Sequence, residues 1–282
     1  MLPFRLPRSG PDVLLGIATV MLLGALISIA LFVAHGGRGF IVATPSMGTT
    51  APVGTLLLTE PVHVSALHVG DIISFHPPTA PTETYTHRII AINAASVSTR
   101  GDINGATDPW RLRDGDLIGR ATVVLPGVGW LARGLPILAI GFALVFCLSR
   151  LVRSLQWRAS LRVLGASLVV SIAAYILRPF TGVQVLQTYV HGRNAGATVV
   201  STALLPIQVT AVHGNQVDLL AGQVGQLSIP TYLSDGYYHL ASALHLDGWG
   251  WVVFFLVCCL PLISILIVGI PQNLPSEQEL PA

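Results

Sequence analysis

The sequence predicts a polytopic membrane protein with about four transmembrane helices and two β-rich segments outside the bilayer. Of its 282 residues, 52% are hydrophobic and only 10% are charged, and the mean hydropathy is +0.70. This composition is too apolar for an ordinary soluble globule. The apolar stretch 13–34 follows Arg5 and Arg8 and is long enough to cross the hydrocarbon core, which takes about 20 residues. A cleaved signal peptide is the alternative, but its apolar region would be shorter, about 7–15 residues.

Three further apolar stretches, 134–150, 159–177 and 249–270, are the other predicted transmembrane helices. Positive residues stay on the cytoplasmic side of a membrane, and arginines both precede the first span and crowd the connection between the second and third. The predicted order is therefore a cytoplasmic N-terminus 1–12, helix 13–34, an outer domain 35–133, helix 134–150, a basic cytoplasmic loop 151–158, helix 159–177, a second outer domain 178–248, helix 249–270 and a cytoplasmic tail 271–282.

Both outer segments contain short apolar or β-branched runs separated by turn residues, a pattern typical of β-strands. In the first segment these runs are 54–58, 71–75 and 88–92, and in the second they are 197–204, 206–212 and 216–220. The sequence thus predicts an all-β domain after the first helix and a second, smaller β-rich domain before the last.

Composition also excludes several kinds of chemistry. All 15 basic residues are arginine, which removes any lysine base, Schiff base or phosphate-binding lysine. The net charge of +2 is too small, and the arginines are too scattered, to indicate a nucleic-acid surface. The three cysteines lie within apolar runs, so neither a disulfide framework nor a cysteine zinc site is expected. We expect no metal and no cofactor.

The candidate catalytic residues all lie in the first outer segment. Ser46 follows a proline close after the first span, and a serine needs a base to become a nucleophile. Since lysine is absent, the base has to be a histidine, and His87 stands beside a predicted strand that would hold it rigidly. A third group normally orients such a histidine, and Asp102 and Asp108 are candidates in a turn-rich stretch. Taken singly, each of these residues is more often a turn or surface residue.

Taken together, these motifs resemble the signal peptidase I family, specifically its endoplasmic-reticulum and archaeal branch. That branch has a Ser-Gly-Ser-Met-Glu-Pro box, a Gly-Asp, a His-Arg, and a Lys-Gly-Asp-Asn-Asn stretch ending in aspartate. The corresponding segments here are Thr44-Pro-Ser-Met-Gly-Thr49, Val69-Gly-Asp-Ile-Ile73, Thr86-His-Arg88 and Arg100-Gly-Asp-Ile-Asn104 leading to Asp108. The resemblance covers roughly 41–130.

The resemblance implies a role for each matching residue. Ser46 corresponds to the nucleophile, His87 to the histidine that replaces the lysine of the bacterial branch, and Asp108 to the closing aspartate. Thr44 matches the first serine of the box, whose hydroxyl assists the oxyanion hole, and Asp102 resembles a supporting carboxylate. The box departs from the family pattern, because Pro45 replaces a glycine and Gly48-Thr49 replaces Glu-Pro.

The resemblance implies a multi-pass serine endopeptidase of the plasma membrane that removes signal peptides at the outer face through an acyl-enzyme. Its partners would be secretory precursors and the lipid bilayer, with the protein-export machinery as a further candidate. A histidine base acts only when neutral, so activity should fall as the pH drops through about 6 to 7. The alternative is a catalytically silent scaffold or assembly factor that binds a partner through its second outer domain. A transporter ranks lower, since the predicted spans carry almost no ionisable residues.

Overall fold

The computed structural model describes residues 10–178, 180–191, 194–230 and 239–268. Their elements, in chain order, are α1 (Gly10–Ala34), β1 (Arg38–Ile41), β2 (Leu56–Glu60), β3 (Ile72–Phe75), β4 (Tyr85–Asn93), β5 (Ser96–Arg100), β6 (Leu117–Leu125), α2 (Val128–Leu151), α3 (Leu155–Leu177), β7 (Val183–His191), β8 (Asn194–Ser201), β9 (Ile207–Ala211), β10 (Gln216–Leu219), β11 (Val224–Ile229), β12 (Leu240–Leu244) and α4 (Gly248–Val268). Short 3₁₀ helices cover Pro45–Met47, Val64–Ala66 and Asp114–Asp116.

The chain divides into two compact units. The first comprises Met1–Val42 with Leu56–Leu125, and the second comprises Ala43–Thr55 with Pro126–Ala282. The predicted tail 271–282 and most of the predicted N-terminus 1–12 lie outside the described residues. The predicted second outer domain is described except for 179, 192–193 and 231–238.

The first unit is built on a six-stranded antiparallel sheet in the order β1-β2-β6-β3-β4-β5. Its apolar side chains alternate along the strands, so that one face is covered by a core. The buried members of this core are Val64, Leu67, Ile73, Phe75, Ile89, Val97 and Leu112. The centre of the core lies over β3 and β4, and β4 also carries His87.

The β-rich part of the second unit contains two three-stranded antiparallel sheets, in the orders β11-β8-β7 and β10-β9-β12. Strands of both sheets contribute to one hydrophobic core, whose largest fully buried members are Val199, Ile207, Leu219, Leu227 and Ile229. Two sheets that share a core in this way form a small sandwich. The region between α3 and α4 is therefore β-rich.

Three helices among the described residues are long and apolar enough to cross a membrane, over Leu15–Ala34, Val128–Leu151 and Trp157–Leu177. Most of their large apolar side chains are exposed, which in a soluble protein would cost solubility and in a bilayer is the normal state. Helix α4 is also apolar, over the part Gly248–Cys259 whose side chains are described. The chain thus combines β-rich sheets with several apolar helices compatible with a membrane protein.

Helix α2 differs from the predicted stretch 134–150 by starting earlier, at Val128. A Pro-Gly pair precedes it, and Gly127 adopts the left-handed conformation with φ of 77° at the helix start. The connection from α2 to α3 is shorter than the predicted loop 151–158. Helix α2 ends at Leu151 and α3 begins at Leu155. Arg158 stabilises this turn by donating from its Nε and a terminal nitrogen to the carbonyl of Val152, at 3.2 and 3.0 Å.

Candidate active site

His87 points into the core of the first unit from the middle of the sheet. It lies on β4 opposite Ile73 of β3, and its side chain is only 5% exposed. Successive side chains of a strand point to opposite faces, so His87 and Ile89 share the buried face while Arg88 lies on the other. The apolar residues of the run 88–92 also explain why His87 is buried. They favour a core over one face of β4, and His87 lies on that face.

Asp108 meets His87 inside this core. The Nδ1 atom of His87 lies 2.7 Å from Oδ2 of Asp108, and the Asp108 side chain is 8% exposed. The hydroxyl of Thr99 donates to the same carboxylate oxygen at 2.6 Å, and the Asp108 amide donates to the Thr99 carbonyl at 2.9 Å. With the Nδ1 proton directed at the carboxylate, Nε2 becomes the basic atom of the ring.

Two aromatic rings pack against the imidazole of His87, and a third packs against those two. The centroids of Phe75 and Tyr85 lie 6.1 and 5.9 Å from that of His87, both edge-on. Trp110 in turn packs against Phe75 and Tyr85, with centroid distances of 6.2 and 5.8 Å. Apolar rings exclude water, and a hydrogen bond to a carboxylate is stronger in the lower local dielectric that results. The aromatic set therefore favours a single fixed orientation of the imidazole.

Asp102 makes a separate ion pair with Arg88. Its two carboxylate oxygens accept from Nε and a terminal nitrogen of Arg88 at 2.8 and 2.7 Å, the two-point geometry that suits a guanidinium. The hydrogen bonds from Arg88 to Asp102 raise the pKa of the guanidinium above its usual value. Of the two carboxylates offered by the sequence, Asp108 thus bonds to His87 and Asp102 holds the neighbouring arginine.

Ser46 occupies the short 3₁₀ helix Pro45–Met47. Its side chain is half-buried, whereas Met47 beside it is fully buried and Thr44 before it is exposed with an extended backbone. The amide of Gly48 closes the helix by donating to the Pro45 carbonyl at 2.8 Å. Ser46 and Thr44 belong to the second unit, and His87, Asp102 and Asp108 belong to the first.

Several residues of this arrangement were not predicted from the sequence. Thr99, which anchors Asp108, lies within an ordinary strand, and no motif distinguishes it. The aromatic residues Phe75, Tyr85 and Trp110 are far enough apart in the chain that only the folded sheet brings them together. Arg88 was visible as part of the His-Arg pair, but its partner depends on the position of the turn that follows β5.

Metal binding was not expected from the sequence, and that expectation stays a prediction. Within the ranges that the structure describes, no three histidine, cysteine or acidic side chains lie close enough to hold a metal ion.

Part of the chain is similar to a known protein family. Residues 13–106 match the family described as signal peptidase, peptidase S26. The match covers a third of the chain. It includes Ser46, His87 and Asp102 and ends just before Asp108. No curated protein matches the chain.

The match supports the resemblance to signal peptidases that the motifs indicate, and this family consists of serine peptidases that act on precursors bearing signal peptides. The matched segment is signal-peptidase-like, and the most apolar candidate span, Leu15–Ala34, lies within it. The region after β6, with α2, α3, the small sandwich and α4, lies beyond the match.

Proposed function

We propose that this protein is a membrane-bound serine endopeptidase of the signal peptidase type, in the branch that uses a histidine base. The observation that carries the proposal is the buried hydrogen bond between His87 and Asp108 at 2.7 Å in a chain whose signal-peptidase-like segment also holds Ser46. A histidine oriented by a buried carboxylate is the arrangement that serine hydrolases use to activate a hydroxyl. The complete lack of lysine favours the same branch.

In the proposed reaction, Nε2 of His87 takes the proton of the Ser46 hydroxyl as Oγ attacks the carbonyl carbon of the scissile peptide. The imidazolium then gives that proton to the leaving amine as the C–N bond breaks, and an ester remains on Ser46. His87 next removes a proton from water, which attacks the ester and releases the new carboxyl end of the signal peptide while Ser46 regains its proton. Asp108 stabilises the imidazolium in both halves and keeps its own charge.

The negative oxygen of each tetrahedral intermediate requires donors. We propose the backbone N–H of Ser46 and the hydroxyl of Thr44 for this role, in accordance with the resemblance of the box 44–49. Thr44 is exposed in the free enzyme and its side chain does not cap the 3₁₀ helix, so its hydroxyl is available to a substrate. Asp102 supports the strand that carries His87 through its ion pair with Arg88.

The substrates are secretory precursors, whose cleavage sites follow an apolar segment lodged in the bilayer. We propose a plasma-membrane protein with four spans. The arginine distribution supports its orientation, with both termini in the cytoplasm and both β-rich regions outside. In this arrangement Ser46 follows the first span closely enough to act near the membrane surface. The protein-export machinery is a further proposed partner, because it delivers such precursors.

The test is cleavage of a secretory precursor by the full chain reconstituted in vesicles, comparing wild type, Ser46→Ala and His87→Ala. The matched control for the serine is Ser65→Ala, since Ser65 is also the central residue of a three-residue 3₁₀ helix and is exposed. The control for the histidine is His63→Ala, whose side chain is 84% exposed. Insertion and folding are checked for every variant.

We expect the wild type and both controls to cut the precursor and both site variants to lose the cut. Removing a member of a serine–histidine pair typically lowers kcat by about 10⁴- to 10⁶-fold. If all five proteins fail to cut, or if all five cut equally, the protease proposal is wrong, and equal cutting would point to a contaminating peptidase.

A further inference from the structure

The loop that carries Ser46 is in close contact with the small sandwich of the same unit. Gly222 lies in the turn between β10 and β11, and its backbone packs against that of Gly48. A Cβ atom placed on Gly222 would lie 2.5 Å from the carbonyl carbon of Gly48, 2.9 Å from the nitrogen of Thr49 and even closer to the Gly48 oxygen. Only a glycine fits such an approach, and the φ of 74° at Gly222 favours glycine as well.

The turn on the sandwich side is firmly held. The Gly222 amide donates to the Ser201 carbonyl, and the Ser201 amide donates to the Gln223 carbonyl, both at 3.0 Å. The Gln223 amide closes the turn by donating to the Leu220 carbonyl at 3.0 Å. The Gln223 side-chain oxygen accepts from the Leu220 amide, also at 3.0 Å. Ser201 is fully buried at the end of β8. Gly222 is therefore attached to the sandwich core rather than to a free loop.

The Ser46 side of the contact is equally constrained. Gly48 directly follows the 3₁₀ helix and has φ and ψ of 54° and −135°, a conformation that residues with a Cβ rarely adopt. Met47 before it and Ala51 after it are buried, and the Thr50 amide donates to the Met47 carbonyl at 3.2 Å. A displacement of Gly48 would thus be transmitted to Ser46, two residues away.

We infer that the turn 220–223 of the sandwich supports the Ser46 loop and positions the nucleophile, with Gly222 as a positioning residue. This inference rests on the proposed function. It gives the sandwich a role that the family match, which ends at 106, does not supply. It also accounts for one departure of the box from the family pattern, the glycine at position 48. Gly48 has a positive φ, which glycine adopts readily, and its carbonyl faces Gly222.

The test compares Gly222→Ala with Gly70→Ala in the vesicle cleavage assay. Gly70 is the matched control, since its φ of 101° imposes the same kind of backbone strain while a Cβ there would meet no atom within 4 Å. We expect Gly222→Ala to lower kcat by about 10- to 100-fold, as expected for a small displacement of a reacting group. KM should stay within about twofold, because the displaced group reacts with the substrate rather than binding it.

A second pair of variants keeps the inference testable if Gly222→Ala does not fold. Gln223 is exposed, so Gln223→Ala removes the side-chain acceptor of the turn without disturbing the core, and Gln223→Glu restores an acceptor. We expect Gln223→Ala to slow the reaction of Ser46 with a fluorophosphonate probe and Gln223→Glu to react as the wild type does. Unfolding midpoints are measured in parallel.

The outcomes separate the two proposals. A wild type that does not cleave overturns the protease proposal and this inference with it. A wild type that cleaves while Gly222→Ala matches Gly70→Ala in kcat, or while Gln223→Ala labels at the wild-type rate, overturns the inference alone.

Discussion

The Nδ1 atom of His87 lies 2.7 Å from Oδ2 of Asp108, with both side chains almost completely buried. Burial makes this hydrogen bond specific, because neither group has water as an alternative partner. Thr99 donates to the same carboxylate oxygen, so the acceptor is fixed from a second side. The imidazole on β4 is therefore oriented by a carboxylate from the segment that follows β5, and Thr99 of β5 holds that carboxylate in place.

Asp108→Asn should keep the shape of the pair and remove its charge. We expect kcat for precursor cleavage to fall by about 10²- to 10⁴-fold, since the imidazolium loses its stabilising partner and the amide favours the wrong tautomer. Asp108→Ala should also destabilise the fold by about 1.5–3 kcal/mol, the cost of losing a hydrogen bond to a charged group.

The measurements are kcat in vesicles and chemical unfolding in detergent. Asp116→Asn is the control, because the Asp116 carboxylate accepts from the nearby Arg113 amide at 2.8 Å. Among the described contacts, this is its only hydrogen bond. If Asp108→Asn retained more than half of the wild-type kcat, Asp108 would not be the residue that orients the base.

Thr99→Val should leave the volume of the side chain unchanged and remove the hydroxyl that donates to Asp108 at 2.6 Å. We expect a loss of about 1–2 kcal/mol of stability and a fall in kcat smaller than that of Asp108→Asn. The matched control is Thr59→Val, because Thr59 is equally buried in the same sheet and donates to the Arg38 carbonyl at 3.2 Å instead. A similar loss of stability in both variants, with kcat reduced only in Thr99→Val, would establish the role of this hydroxyl.

The strands were the part of the fold that the sequence predicted best. The runs 197–204, 206–212 and 216–220 overlap β8, β9 and β10, and the run 88–92 lies within β4. Strand β9 and the first part of β4 are buried on alternate residues, whereas β8 is buried on both faces, and either pattern leaves a clear apolar run in the sequence. Strand β7 had no such signal, since Val185, Leu186 and other large apolar residues along it are exposed and no single face stands out.

The candidate site was less accessible from sequence, because its contacts depend on pairing between distant segments. Asp102 and Asp108 are both close to His87 in the chain, and nothing in their spacing says which one reaches it. The register of β4 against β5 decides this, since it places Thr99 opposite Ile89 and so brings the Thr99–Asp108 pair beneath His87. The box around Ser46 was recognisable as a motif, but the role of Gly48 depends on a contact with Gly222, far along the chain.

The ion pair between Arg88 and Asp102 should contribute modestly to stability. The two side chains are 33% and 22% exposed, so water screens much of their attraction, and exposed pairs contribute about 0.2–1 kcal/mol. A double-mutant cycle of Arg88→Leu and Asp102→Asn should give a coupling energy near the upper end of that range, because the contact is two-pronged. The coupling should shrink in 1 M salt, and a salt-independent value would contradict a screened surface pair.

Asp218 offers a prediction for pH. The hydrogen bond from the Gln208 amide at 2.9 Å, followed by that from His245, holds the pKa of the Asp218 carboxyl below its usual value. A depressed pKa stabilises the fold above the unfolded value of about 3.9, and this stabilisation is lost as the pH falls through the folded-state pKa. Gln208→Leu should raise the pKa of Asp218 in a carboxyl NMR titration. Gln216→Leu is the control, because Gln216 lies on β10 with Asp218. We expect this variant to leave the titration of Asp218 unchanged. An unchanged titration in Gln208→Leu as well would contradict the assignment.

Helices α2 and α3 pack through glycines on both sides of their interface. A Cβ on Gly165 of α3 would lie 2.7 Å from a methyl carbon of Val145, and one on Gly141 of α2 would lie 2.5 Å from a methyl carbon of Val169. Helix pairs in bilayers gain stability mainly from such close packing, because lipid tails offer no hydrophobic driving force for association. We expect Gly165→Leu to separate the helices and destabilise the chain in detergent by about 1–3 kcal/mol, the usual cost of overpacking.

The control for this substitution is Gly24→Leu in α1, where a Cβ would meet no atom within 4 Å. The added side chain is the same, and it lies on an apolar helix of comparable length. Because leucine is favourable in lipid wherever it has room, Gly24→Leu should leave the unfolding midpoint unchanged or raise it slightly. Equal destabilisation by the two variants would mean that loss of a helix glycine, and not the contact with Val145, determines the effect. A midpoint lowered only in Gly165→Leu would establish the α2–α3 contact as a stabilising interface.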